Sequence, residues 1–195
     1  MASKLRIPGC VANNKAGIQE VGVMSGEWLH IMDDSGMTPL DRIFGSGHIA
    51  LAEMLLRHEK HDQAENLRGV TPLHRAAHLG LDDAVRSLLS CGTDVDRVDA
   101  SGESALHKAA IEGHVEIVDL LADLCDVNER SNDGMTPLHL ACLNGNPAVV
   151  ELLMNHGADA RMRNEIMDGL TPMDLADIMG HTELEAALSV NDSFV

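Results

Sequence analysis

Residues 69–80 read Gly-Val-Thr-Pro-Leu-His-Arg-Ala-Ala-His-Leu-Gly, and the same pattern recurs along most of the chain. Its four-residue centre starts at Thr38, Thr71, Ser104, Thr136 and Thr171, which gives intervals of 33, 33, 32 and 35 residues. One glycine stands two residues before each start, and another stands nine residues after it. Repeats of this length are typical of solenoids, in which each repeat buries its apolar face only against its neighbours.

Each element of the repeat has a local physical reason. The first glycine can adopt a positive φ at a tight turn. Thr-Pro predicts a helix N-cap and the first helical residue, where the missing proline N–H costs nothing. The small pair Ala76-Ala77 predicts a short inner helix with a flat face, which the second glycine ends in a left-handed conformation. An outer antiparallel helix follows, with apolar residues at helical spacing, such as Val149, Val150 and Leu153.

The pattern resembles the ankyrin repeat, which runs Gly-x-Thr-Pro-Leu-His-x-Ala-Ala-x-x-Gly-His, then an outer helix, then Gly-Ala-Asp-Val-Asn. The resemblance covers residues 36 to the end and implies an all-α solenoid of helix-turn-helix layers with hairpin tips. We predict five clear repeats, a degenerate N-terminal capping repeat over residues 1–35, and a tail over 191–195. The five repeats span residues 36–68, 69–101, 102–133, 134–168 and 169–190. The resemblance also implies structural roles for six histidines, namely His48, His74, His107, His114, His139 and His181.

Composition narrows the function further. The chain has 31 Asp and Glu against 14 Lys and Arg, a net charge of −17 that repels phosphate backbones and anionic lipids. We therefore expect no direct binding to nucleic acid or to a membrane, and a partner that is basic. Aromatic residues make up only 2% of the chain, which is unlike a β-sandwich or barrel and suits thin helical layers. We expect a monomer.

No catalytic, metal or cofactor motif stands out. The four cysteines lack the two-residue spacing of a metal knuckle, and His58 and His61 lie three residues apart rather than the four that a helical zinc motif needs. The N-terminus lacks the apolar run of a signal peptide, and no stretch of about 18 apolar residues occurs. We therefore expect a non-enzymatic protein with reduced thiols in the cytoplasm, the nucleus or both.

Three copies depart from the pattern. The first clear copy carries Ile43-Phe44 where two small residues are expected, so its layer should pack less closely on the next. The copy at Gly102 loses one residue after its outer helix. The copy at Gly134 gains two residues within 161–168, which would place Ile166 and Met167 at a longer hairpin tip. That tip is either a contact point or a tolerated insertion.

The resemblance implies a partner on the concave face, formed by the hairpin tips and the exposed side of the inner helices. The inner-helix positions read His78-Leu79, Ile111-Glu112, Leu143-Asn144 and Ile178-Met179, and each pair carries an apolar residue. A contiguous apolar stripe marks an interaction surface, unless these residues pack beneath neighbouring hairpins. The predicted partner-binding residues are His78, Leu79, Val98, Glu103, Ile111, Glu112, Arg130, Met135, Leu143 and Asn144.

Two smaller signals complete the sequence-based predictions. Asn128 resembles the hairpin asparagine that an asparaginyl hydroxylase modifies in ankyrin repeats, although it can equally serve to shape the turn. The last residues, Ser193-Phe194-Val195, resemble a C-terminal ligand of PDZ domains. The leading function is a protein-binding adaptor or scaffold. The alternatives are a stoichiometric inhibitor or regulator of a kinase or transcription factor, and a regulatory part of a larger protein.

Overall fold

The computed structural model of the chain describes residues 32–48, 51–52, 65–165, 169–184 and 187–188. Within these ranges the structure is helical apart from one isolated β-bridge between Val98 and Ser104, so the all-α prediction is confirmed. A short 3-10 helix spans Thr182–Leu184. The α-helices that lie wholly within these ranges are α1 (Pro39–Gly45), α2 (Pro72–His78), α3 (Asp82–Ser90), α4 (Ala105–Glu112), α5 (Val115–Ala122), α6 (Pro137–Leu143), α7 (Pro147–Asn155) and α8 (Pro172–Met179).

Several predicted features fall outside the described residues. They are nearly all of the N-terminal capping repeat, the His58–His61 pair, the tip residues Ile166 and Met167, and the tail residues Ser193, Phe194 and Val195. The described residues on either side nevertheless locate the two-residue insertion of the fourth clear copy between Asn164 and Gly169. Asn164 occupies the position that Asn66 holds in an earlier tip, and Gly169 follows it by five residues rather than three.

The helices form two rows. The inner helices α2, α4, α6 and α8 pack side by side, and the outer helices α3, α5 and α7 form a second row that ends on the 3-10 helix. Buried leucines such as Leu73, Leu106 and Leu138 fill the space between the rows, each at most 1% exposed. Every layer therefore buries its apolar residues against its own hairpin partner and the adjacent layers, as a solenoid requires.

The closeness of the inner row depends on small side chains. Ala76, Ala77, Ala109 and Ala110 are fully buried where the inner helices meet. In α1 the equivalent positions hold Ile43 and Phe44, which are also buried. The contact between α1 and α2 is less extensive than the contacts between the later inner helices, as the bulk of these two side chains leads us to expect.

A capping box starts every inner helix. The Thr71 hydroxyl accepts a hydrogen bond from the His74 backbone, and the side chain of His74 accepts one from the Thr71 N–H. Thr38, Ser104, Thr136 and Thr171 begin α1, α4, α6 and α8 in the same reciprocal way. These boxes satisfy backbone donors that would otherwise be buried without partners. They also fix the orientation of the side chain at the third residue of each helix, such as His74 in α2.

The same histidine side chains join consecutive layers. Because the Thr71 N–H donates to Nδ1 of His74 at 3.2 Å, the proton lies on Nε2, which donates to the Glu103 carbonyl at 2.9 Å. His107 reaches the Met135 carbonyl at 3.1 Å, and His139 reaches the Leu170 carbonyl at 3.1 Å. The predicted structural role of these three histidines is thereby confirmed, and each imidazole must be neutral to fill it.

Aspartate replaces this histidine in the first and last described layers. Asp41 keeps the capping bonds to Thr38, but a carboxylate has no proton for the next layer. Instead Arg75 of the following layer donates from Nε to Asp41 at 2.8 Å, and the Asp41 side chain is only 3% exposed. Asp174 also caps its own helix through Thr171. Between α1 and α2 the later layer therefore donates to the earlier one through an ion pair, whereas in the central interfaces the histidine of the earlier layer donates to the later one.

We expect the stability of the stack to decline as the pH falls below about 7. Burial lowers the pKa of His74, His107 and His139 below the usual value of 6.5. The unfolded chain then binds more protons than the folded chain, so the free energy of unfolding is highest above pH 6.5 and declines as the pH falls. The pKa values of Asp33, Asp99 and Asp174 are lowered, so protonation of these carboxylates reduces the stability only at more acidic pH.

Urea unfolding followed by circular dichroism at several pH values measures this dependence. The variant His107→Gln should unfold at lower urea and show a shallower pH dependence, because one titrating imidazole is gone. A pH dependence equal to that of the unchanged chain would contradict the role assigned to His107.

Glycines at the ends of inner helices provide a second link between layers. Gly80, Gly113 and Gly145 have positive φ, and a side chain of the next layer lies against each one. A Cβ atom at Gly145 would lie 2.4 Å from the His181 ring, and one at Gly80 would lie 2.6 Å from His114. Gly47 is equally left-handed but has nothing within 4 Å, because the next layer carries Leu81 where the others carry His or Asn.

We predict that Gly145→Ala destabilises the chain more than Gly157→Ala does. Both glycines have positive φ, which costs a residue with a Cβ about 1–2 kcal/mol. Only Gly145 would in addition force the His181 ring to move, because Gly157 has open space around it. Chemical unfolding measures the difference, and hydrogen exchange should show the extra loss of protection for Gly145→Ala in α6, α7 and α8. Equal destabilisation would show that the ring contact contributes nothing.

Candidate protein-binding surface

The hairpin tips form a continuous hydrogen-bonded edge. Within a tip, a side chain such as Asp99 accepts from two backbone N–H groups, those of Ser101 and Glu103 at 2.8 and 3.1 Å, and holds the turn. Between tips, backbone bonds run from layer to layer. The Ala100 N–H donates to the Arg68 carbonyl at 2.7 Å, that of Asn132 to Ser101 at 2.9 Å, and that of Glu165 to Asp133 at 2.9 Å. The described tips thus present their exposed side chains in a fixed register.

The two residues that precede each cap glycine differ in their exposure in the central layers. The residue directly before the cap glycine is exposed in four successive layers, as Leu79, Glu112, Asn144 and Met179. The residue before that is half-buried in the two central layers, as Ile111 and Leu143. Ile178, in the last described inner helix, is 65% exposed. Helical geometry turns successive side chains by about 100°, which separates the members of each pair.

Met135 does not belong to the exposed surface, and its predicted place there is corrected. It is 8% exposed and forms a small apolar cluster with Leu140 and Leu175. The Asn164 amide lies 3.3 Å from its sulfur. Ile111 and Leu143 pack onto the same cluster. The apolar residues in the middle of the predicted stripe therefore contribute to packing, which was the alternative interpretation of the sequence.

The remaining predicted residues are accessible to different degrees. Val98 is 41% exposed at a tip, and Leu79 is 40% exposed. His78 and Glu112 are exposed and 3.4 Å apart. Glu103 is half-buried, and Arg130 is exposed while donating to the Arg163 carbonyl at 3.0 Å. The sequence-based prediction did not include Leu67, which is 74% exposed at a tip, and its position two residues before Gly69 is the signal that would have located it.

Asn128 joins two layers through both ends of its side-chain amide. Its nitrogen donates to the Gly157 carbonyl at 3.2 Å, and its oxygen accepts from the Asp159 N–H at 2.8 Å. Asp96 and Arg161 hold the same position in neighbouring repeats. The structure thus gives Asn128 a turn-shaping role, and its hydroxylation stays a prediction.

The described residues offer little reactive chemistry. Burial raises the pKa of the Cys142 thiol to about 12, and burial together with nearby carboxylates raises that of Cys125 to about 12, so neither forms a thiolate near neutral pH. Among the described residues, no group of three or more His, Cys, Asp or Glu side chains is arranged to hold a metal ion. No described helix is both long and apolar enough to span a membrane.

Fold and surface together define a repeat solenoid with an exposed edge of hairpin tips and inner-helix ends. A family model described as ankyrin repeats matches the chain in three overlapping copies, over residues 10–99, 80–164 and 124–189. The chain therefore belongs to the ankyrin-repeat family, whose members are protein–protein interaction modules.

Curated relatives match about half of this chain. The chain is 34% identical over 98 residues to neurogenic locus notch homolog protein 2 of Homo sapiens, which is 50% of this chain and 4% of that protein. It is 33% identical over 88 residues to neurogenic locus notch homolog protein 1 of Danio rerio, covering 45% of this chain and 4% of the relative. It is 30% identical over 105 residues to potassium channel AKT2/3 of Arabidopsis thaliana, covering 54% and 13% respectively. The chain thus matches a small fraction of these longer proteins.

We predict that Ile111→Ala and Leu143→Ala each destabilise the chain, whereas Leu79→Ala does not. The first two remove methyl groups that cover the Met135 cluster, a loss of about 1–3 kcal/mol for partly buried positions. Leu79 is 40% exposed and lies outside both apolar clusters, so its truncation should stay within about 0.5 kcal/mol. Urea unfolding distinguishes them. A neutral effect of both Ile111→Ala and Leu143→Ala would argue that the stripe is free for a partner after all.

Proposed function

We propose that the chain is a non-enzymatic adaptor that binds a partner protein across its hairpin tips and inner-helix ends. The observation that carries this proposal is the exposure of Leu79, Ile178 and Met179, at 40%, 65% and 52%, along one edge of the inner row. Apolar side chains left accessible on a rigid surface gain free energy when a partner covers them. Membership of the ankyrin-repeat family supports the same function.

A second candidate is a regulatory part of a longer protein. The chain covers only 4% to 13% of the relatives described above, in which an ankyrin segment is one portion of a large polypeptide. In this case the same surface would contact another part of the same protein or its immediate partner. We place the chain in the cytoplasm or nucleus, and the tail residues Ser193, Phe194 and Val195 would offer a PDZ domain a second point of attachment.

Affinity capture from cell lysate tests the proposed surface. We expect the variant Leu79→Ser/Ile178→Ser/Met179→Ser to lose at least tenfold of the partner that the unchanged chain retains, because buried apolar contacts at the centre of an interface dominate its energy. The three side chains are exposed, so the variant should melt within a few degrees of the unchanged chain, which circular dichroism verifies. Ile111 and Leu143 are left unchanged because they also support the fold.

The matched control is Leu124→Ser, which removes an apolar side chain that is 53% exposed beyond the end of outer helix α5. It should capture as much partner as the unchanged chain. Equal capture by all three proteins would exclude the inner edge as the binding surface and direct attention to the tip at Ile166 and Met167 or to the C-terminal tail. A stoichiometric inhibitor would be recognised by loss of the captured partner's own activity.

A further inference from the structure

Five described cationic side chains on the inner face and tips are paired with carboxylates. Along the stack these pairs occur in successive layers. They are Arg42 with Asp33 at 2.6 Å, Arg75 with Asp41 at 2.8 Å, Arg97 with Glu65, Lys108 with Asp99 at 2.8 Å and with Glu103, and Arg130 with Glu165 at 3.3 Å. Arg163 donates instead to the Gly169 carbonyl at 2.7 Å. Arg68, at the first complete tip, is exposed and forms no ion pair with a carboxylate of the described residues.

Several carboxylates on the same face lack a cationic partner. Asp133 at a tip and Asp177 in α8 are exposed, and among the described residues neither forms an ion pair or a side-chain hydrogen bond. Glu112 is exposed and has only the His78 imidazole nearby, at 3.4 Å. Asp177 belongs to the same helix as the exposed Ile178 and Met179, and Glu112 belongs to the layer next to that of the exposed Leu79. The accessible charge on this part of the surface is therefore negative.

This arrangement selects among partners. An acidic segment would meet unpaired carboxylates along α4 to α8, where the cations Lys108 and Arg130 are already in ion pairs, and like charges brought together at an interface cost free energy. A basic segment could pair with Glu112, Asp133 and Asp177 without disturbing any ion pair of the fold. Its apolar side chains would cover Ile178 and Met179, whose exposure the charges alone do not explain.

We propose that the inner edge from the end of α2 to the end of α8 binds a protein segment that combines Lys or Arg side chains with apolar side chains. The inference rests on the proposed function and specifies the chemistry of the partner. It goes beyond the overall charge of −17, because it assigns the attraction to three named carboxylates rather than to the chain as a whole.

The test is selection of binders from a library of displayed random 16-residue peptides on the full chain. Selected peptides are then measured by fluorescence anisotropy against four proteins. These are the unchanged chain, the apolar-edge variant Leu79→Ser/Ile178→Ser/Met179→Ser, the inner variant Glu112→Gln/Asp133→Asn/Asp177→Asn, and the outer variant Glu116→Gln/Asp119→Asn/Glu151→Gln. The last two remove the same charge from opposite sides, because Glu116, Asp119 and Glu151 are exposed on outer helices α5 and α7.

We expect peptides that depend on the apolar edge to be enriched in Lys or Arg. They should bind the inner variant about tenfold more weakly at low salt, and less so at 0.5 M salt, because exposed ion pairs are screened. The outer variant should bind them almost as well as the unchanged chain. Equal weakening by both charge variants would overturn the inference, since it would reduce the effect to overall charge.

Peptides that need the apolar edge but carry no excess of basic residues would also overturn the inference, while leaving the proposed function intact. If no selected peptide depends on the apolar edge, the proposed function fails, and the inference fails with it. Melting of all four proteins by circular dichroism establishes beforehand that the variants are folded.

Discussion

One hydrogen bond recurs at each central interface of this solenoid, and much of the structure depends on it. A neutral imidazole accepts a backbone N–H through Nδ1 at its own helix start and donates through Nε2 to a carbonyl of the next layer, as His74 does to Glu103. The bond requires the capping box to orient the ring and small residues to bring the layers close enough for it to reach. Capping, flat helix faces and layer spacing are therefore not independent features, because each is needed for the same contact.

The ends of the described stack follow from the same constraint. A carboxylate can cap its own helix but has no proton to donate to a carbonyl of the next layer. Aspartate therefore suits a layer that does not make the histidine bond to the layer after it. At the last described inner helix Asp174 serves this local role. At the first, Asp41 is instead met by Arg75, and Gly47 lacks the ring contact that Gly80 and Gly145 receive. The interface between α1 and α2 thus differs from the central ones in packing, hydrogen bonding and charge, so its stability should respond differently to salt and pH.

The candidate binding surface is built from positions that the layer contacts leave free. Tips are held in register by backbone bonds and by a few side chains such as Asn128 and Arg130, which leaves other tip side chains such as Leu67 and Asp133 exposed. At the inner helix ends, the residue before the cap glycine is exposed as Leu79, Glu112, Asn144 and Met179, although the Asn144 amide also donates to the Ile111 carbonyl of the preceding layer at 2.6 Å. Because the cations nearby are already paired within the fold, the character of the surface is set by apolar groups and unpaired carboxylates.

The repeat pattern by itself determined the helix starts, the left-handed glycines, the layered all-α architecture and the structural role of the central histidines. These features arise from local chemistry that recurs every 32 to 35 residues, so one sequence contains several independent copies of the signal. Only the tertiary structure decided which apolar residues of the inner helix ends are accessible. Ile111, Leu143 and Met135 are covered or half-covered because adjacent layers meet over them, whereas Ile178 in the last described inner helix is exposed. The pairing of Arg75 with Asp41 and of Arg130 with Glu165 likewise joins residues more than 30 positions apart, and such contacts depend on how layers stack rather than on any local pattern.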